Sequence, residues 1–106
     1  MPKYLLAVSY TAEGAKGVAK TGGSARVTAA RELAEGLGGS LESMYFAFGP
    51  ADVYAIVDMP SQAAAAAAVL ALGASGAAGS STTVLITPEE VDEAAKMAVT
   101  YRPPGA

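Results

Sequence analysis

The side chains able to do chemistry in this chain are few, and they fall into two groups. Tyr4, Tyr10, Tyr45 and Tyr54, together with Asp52, lie in or beside segments of strand composition and are the candidates for a ligand pocket. A tyrosine hydroxyl inside a pocket donates to a carbonyl or stabilises an enolate. The same rings equally serve as aromatic packing in a core or an interface. Asp52 is placed either to act as a general base among apolar neighbours or to bond the backbone of the turn it follows.

The second group is Gly22-Gly23-Ser24-Ala25-Arg26. A glycine turn feeding a helix N-terminus is an anion site by geometry, and Arg26 would add a second contact. The run lacks the lysine that follows the last glycine of a phosphate-binding loop. An ordinary capped helix start accounts for it as well. Glu32, Glu35 and Glu42 read as solvated surface.

What is missing narrows the chemistry further. The chain has no cysteine, which excludes disulfides, thiol nucleophiles and thiolate metal sites. It has no histidine, the commonest general base and transition-metal ligand. No oxygen-ligand cluster such as Asp-x-Asp appears, so neither a metal nor a cofactor is expected. The seven Lys and Arg are scattered singly and the net charge is −3. Nucleic-acid binding therefore lacks its electrostatic footprint. The apolar run at Tyr4–Val8 is short for a secretory signal. The alanine-rich run from 63 to 74 falls short of the ~20 residues that span a bilayer. No membrane partner and a cytoplasmic location are expected.

These side chains must be positioned by one domain, since 106 residues leave no room for a second. Lys3 to Tyr10 has strand composition, with Tyr4, Leu6, Val8 and Tyr10 on one face. Thr11 offers an N-cap for a short helix to about Lys20, which the glycines at 22 and 23 end or kink. Ser24 is a candidate cap for a second helix with Val27, Ala30, Ala34 and Leu37 on its inner face. Arg26, Thr28, Glu32 and Glu35 fall opposite, and Arg31 and Glu35 are spaced for an i,i+4 pair. Gly38-Gly39 stops this helix.

Ser40 to Phe48 reads as the second strand, with Leu41, Ser43 and Tyr45 on one face and Glu42, Met44 and Phe46 on the other. Asp52 to Met59 reads as the third, joined to it through Gly49-Pro50-Ala51 as a hairpin. Ser61 caps a helix built on six consecutive alanines, which Gly73 to Gly76 unwinds. Ser81 to Ile86 is the fourth strand. Thr87-Pro88-Glu89-Glu90 starts a last helix, with Val91, Ala94 and Ala98 inward. Residues 1–98 form the domain and 99–106 a flexible tail.

The order is β-α-β-β-α-β plus a short C-terminal helix. It predicts an α+β, ferredoxin-like fold: a four-stranded antiparallel sheet with both main helices on one face. The other face is left bare. Hydrophobic residues make up 52% of the chain, charged residues 16% against the usual ~25%, and apolar side chains occur on both strand parities. Self-association as a homodimer or higher homo-oligomer, sheet against sheet, is the simplest way to cover that face.

Ordered fragments along the chain strengthen this reading. Lys3-Tyr4-Leu5-Leu6, Ser9-Tyr10-Thr11, Gly22-Gly23-Ser24-Ala25-Arg26, Leu37-Gly38-Gly39, Tyr45-Phe46-Ala47-Phe48-Gly49 and Thr83-Val84-Leu85-Ile86-Thr87-Pro88-Glu89-Glu90 together resemble the GYD domain family, from about residue 2 to residue 97. That family takes its name from a Gly-Tyr-Asp signature near the turn between the second and third strands. Gly49-Pro50-Ala51-Asp52 keeps the glycine and the aspartate and lacks the tyrosine. The resemblance implies a ferredoxin-like domain of the dimeric α/β-barrel group and no assigned biochemical role.

Three functions stay open on the sequence. The first is a non-enzymatic homo-oligomeric module that binds a small ligand or partner. The second is a cofactor-free enzyme on a small apolar or carbonyl substrate held between sheet and helices. The third is a regulatory domain that senses an anionic metabolite at the Gly22–Arg26 turn.

Overall fold

A computed structural model describes residues 1–105. The elements run β1 (Lys3–Tyr10), α1 (Ala12–Thr21), α2 (Gly23–Gly36), β2 (Ser40–Phe46), β3 (Val53–Asp58), α3 (Gln62–Ala74), β4 (Ala78–Leu85) and α4 (Pro88–Ala95). The four strands form one sheet in the order β2-β3-β1-β4, every neighbouring pair antiparallel. This is the expected α+β, ferredoxin-like plan, with two consecutive helices in the first crossover.

The inner face of the sheet carries the core. Tyr4, Leu6 and Val8 of β1 and Val53, Ala55 and Val57 of β3 are buried, with Met59 just beyond the strand. Leu5, Ala7 and Ser9 point the other way, as the alternation in β1 predicts. In β2 the alternation is broken. The pairing steps from Leu41 opposite Val57 to Ser43 opposite Ile56, a β-bulge at Glu42. Residues directly opposite share a face. Leu41 therefore lies with Met44 and Phe46 on the inner face, while Ser43 and Tyr45 face outward. The predicted parity of this strand is corrected by that one extra residue.

Helix starts and stops follow local chemistry. The side chains of Thr11 and Ser61 accept from the N–H of Gly14 and Ala64 and cap α1 and α3. Thr87 and Glu90 form a full capping box on α4. Ser24 does not cap α2: Gly22 holds that position with φ of 84°, a left-handed geometry that glycine adopts freely, and no side chain caps it. Ser24 lies inside the helix. The expected Arg31–Glu35 pair is absent among the described ion pairs, and both side chains are exposed.

Gly14 has a packing role in α1. A Cβ there would stand 2.0 Å from the Ala77 carbonyl oxygen. The start of α1 is tied to the same turn, since the Thr11 N–H donates to Ala77 O at 2.9 Å and the Thr11 hydroxyl to Gly76 O at 2.9 Å. That turn also moves the start of β4 back to Ala78, three residues before the predicted Ser81. At the C-terminal end, α4 stops at Ala95 and buries none of its residues. Val91, Ala94 and Ala98, expected to face inward, are exposed.

Candidate functional site

The two main helices straddle the sheet unevenly. Helix α2 lies over β2 and α3 over β4. The middle strands, β3 and β1, are thus left as the floor of a cleft. Helix α3 offers mostly alanine, and Ala65 and Ala68 are its buried residues. One methyl group cannot reach across to α2. The result is a cavity of about 120 Å³ whose floor is Leu6, Val8, Val53 and Ala55. One wall is Ala29, Ala30, Leu33 and Ala34 of α2, and the other is Ala68 and Leu72 of α3.

Three polar side chains line this apolar space: Tyr10, Arg26 and Ser75. The Ser75 hydroxyl is already engaged. It donates to Leu72 O at 2.6 Å and accepts from the Ala77 N–H at 3.1 Å. Tyr10 and Arg26 are left as the groups able to meet a ligand. A phenol and a guanidinium at one apolar cavity can hold a carboxylate or polarise a carbonyl.

The pocket candidates from the sequence do not converge. Tyr10 lines the cavity. Tyr4 is only 3% exposed and sits in the core against α-facing neighbours of the sheet. Tyr45 and Tyr54 are direct cross-strand partners on the outer face. Asp52 supports the site from outside it. Its carboxylate accepts from the Tyr10 N–H at 2.8 Å, its own N–H donates to Val8 O at 2.8 Å, and its carbonyl accepts from the Ala47 N–H at 2.9 Å. It joins the β2–β3 turn to the end of β1, and its carboxylate bonds the backbone of β1 and not that of the turn it follows.

The anion candidates also separate. Gly22, Gly23 and Ser24 form the α1–α2 kink and do not line the cavity, whereas Arg26 does. Its placement with Thr28 and Glu32 on an outer face is corrected. Arg26 stands one turn before Ala30 and two before Ala34, so the i,i+4 spacing already put it on the inner stripe. Ala68, Leu72 and Ser75 carried no comparable signal, because an alanine run looks alike on all sides.

Two further features lie on the outer face. The Lys3 ammonium donates to Glu42 at the bulge and to Asp58 at 3.0 Å. Glu42 is thus paired rather than simply solvated. These bonds, from Glu42 first and Asp58 second, raise the Lys3 pKa above its ordinary value. A shallow hollow lies between Ser9, Pro50, Tyr54 and Ser81. Among the described residues, no group of three or more His, Cys, Asp or Glu side chains is placed to hold a metal ion. No helix among the described residues is long and apolar enough to cross a membrane.

Comparison with curated proteins and with solved structures finds no match. The family model for the GYD domain matches residues 4–95, which takes in every strand, the cavity and its two free polar groups. The chain belongs to the GYD domain family.

Proposed function

We propose that this chain is a homo-oligomeric binding module for a small, mostly apolar molecule with one anionic or carbonyl end. The observation that carries this reading is the cavity between α2 and α3, apolar on floor and walls, with Tyr10 and Arg26 among its lining residues. An engineered apolar cavity of roughly 150 Å³ takes up benzene. A cavity of about 120 Å³ that opens at its rim suits a ligand of that size class. Anion sensing, placed by the sequence at the Gly22–Arg26 turn, becomes part of the same reading through Arg26.

Binding is favoured over catalysis by the lining itself. A proton-transfer or acyl-transfer site needs a base within hydrogen-bond reach of the reacting group. Here the ionisable lining groups are a phenol and a guanidinium. The homo-oligomeric part is supported by the outer sheet face, where Leu5, Ile56, Tyr54 and Tyr45 stand in adjacent register positions.

The test is an NMR titration with small aromatic and aliphatic carboxylates and their neutral amides. Carboxylates should shift the amides of Ala30, Val53 and Ala68. Arg26→Leu should weaken carboxylates more than amides, and Ala68→Leu should abolish both. Shifts confined to the outer face, or none, would defeat the reading. Turnover of a carbonyl compound in the same tube would move it to the enzyme alternative.

A further inference from the structure

The chain exposes more surface than a domain of its mass should. Folded monomers of 10.5 kDa expose about 5,400 Å², and this chain exposes 7052 Å². Its radius of gyration is 17.0 Å where a compact domain of this length has about 13 Å. Residues 86–105 contribute to the difference. Every one of them is exposed, including Ile86, Val91, Met97, Val99 and Tyr101. The excess of about 1,600 Å² is twice the ~800 Å² that each partner contributes to a standard interface.

A complementary surface exists at the opposite end of the same chain's sheet. Phe46 is 41% exposed and Phe48 fully so, and the Phe46 ring lies against Gly23 at the α1–α2 kink. Around that kink, residues 14–31 hold Lys16, Lys20, Arg26 and Arg31 and no acid. The arm holds Glu89, Glu90, Asp92 and Glu93 against Lys96 and Arg102, with all four acids on α4. Lys16 has one loose partner, Glu13 at 3.9 Å, and both are well exposed. The arm leaves the sheet at Leu85, opposite Lys3, whereas the kink lies at the Tyr10 end of β1. An eight-residue strand separates the two ends by roughly 23 Å.

We infer that residues 86–105 are a dimerisation arm that docks on the α1–α2 shoulder of a second copy of this chain. Val91 and Met97 pack toward Phe46 and Phe48, and the acids of α4 face Lys16 and Lys20. The contact is isologous, so one two-fold axis makes it twice. It deepens the homo-oligomeric part of the proposed function and rests on that part. It is independent of the cavity.

Sedimentation equilibrium on the full chain tests it with a charge swap. Asp92→Lys with Glu93→Lys, and separately Lys16→Glu with Lys20→Glu, should each raise the dimer dissociation constant roughly tenfold or more. An equal mixture of the two variants should recover wild-type affinity, because both arm–shoulder contacts are then complementary. Phe48→Asp should weaken the dimer alone and in any mixture. A dimer that resists all three changes but is lost in Tyr54→Arg would overturn the arm and leave sheet-to-sheet pairing standing. A wild-type monomer at micromolar concentration would overturn both, whether its arm is free, folded back or held by a different protein. Failure of the mixture to recover would overturn the arm–shoulder pairing.

Discussion

The carboxylate of Asp52 accepts a hydrogen bond from the backbone N–H of Tyr10, a residue that lines the cavity, at 2.8 Å. Through it the β2–β3 turn holds the last residue of β1, and with it the phenol that lines the ligand space. Asp52→Ala leaves a half-buried N–H without its partner. A loss of about 1–3 kcal/mol in denaturant unfolding is expected. Asp52→Asn retains an amide oxygen that can accept, and should recover most of it. Ligand affinity should fall in Asp52→Ala without vanishing, since Arg26 and the apolar walls remain.

Two glycines of α1 should respond in opposite ways to alanine. At Gly14 the new Cβ would meet the Ala77 carbonyl oxygen, a backbone atom that cannot swing aside. Thermal unfolding should show a loss of about 1–3 kcal/mol. At Gly17 nothing lies within 4 Å of the added carbon. The helix should gain about 0.4–1 kcal/mol there, as the unfolded chain loses freedom. Equal effects at the two positions would contradict the close approach of α1 to the α3–β4 turn.

Filling the cavity should separate stability from binding. Ala68→Leu places three more carbons into apolar space that the wild-type chain leaves open. Stability should hold or rise by about 0.5–2 kcal/mol, while ligand binding disappears. In the wild type, a ligand at a hundred times its Kd should stabilise the fold by about 2.7 kcal/mol. That stabilisation should be absent in Ala68→Leu.

The Lys3 cluster makes an alkaline prediction. Its folded-state pKa is raised, by Glu42 first and Asp58 second. A group raised on folding stabilises fully below its unfolded value, ~10.4 for lysine, and that contribution is lost as pH rises through the folded value. Stability should therefore fall above about pH 10.4, and Lys3→Met should flatten that fall. Because the side chain is 37% exposed, salt should reduce the effect.

The topology was legible in the sequence because its punctuation is local. Thr11, Ser61 and the Thr87–Glu90 box start helices where those residue types predict, and the hairpin lies where Gly49-Pro50 marks it. The bulge at Glu42 was not legible, because a register shift is set by twist and by the partner strand rather than by the residues that bulge. Arg26 was legible in principle, four residues before Ala30, but a charge on a helix is ordinarily assigned to water. The cavity was not, because six alanines specify a helix and say nothing of the gap they leave. Ser24 misled because Gly22, two residues earlier, adopts a positive φ and ends one helix where the next begins.

The most direct test of the cavity is a crystal structure of the protein soaked in benzoate, a ring with one carboxylate. The ring should lie between Ala30, Ala68 and Val53, with the carboxylate within hydrogen-bond distance of Arg26 and Tyr10. A cleft closed by contact between α2 and α3, or benzoate bound only outside it, would contradict the account.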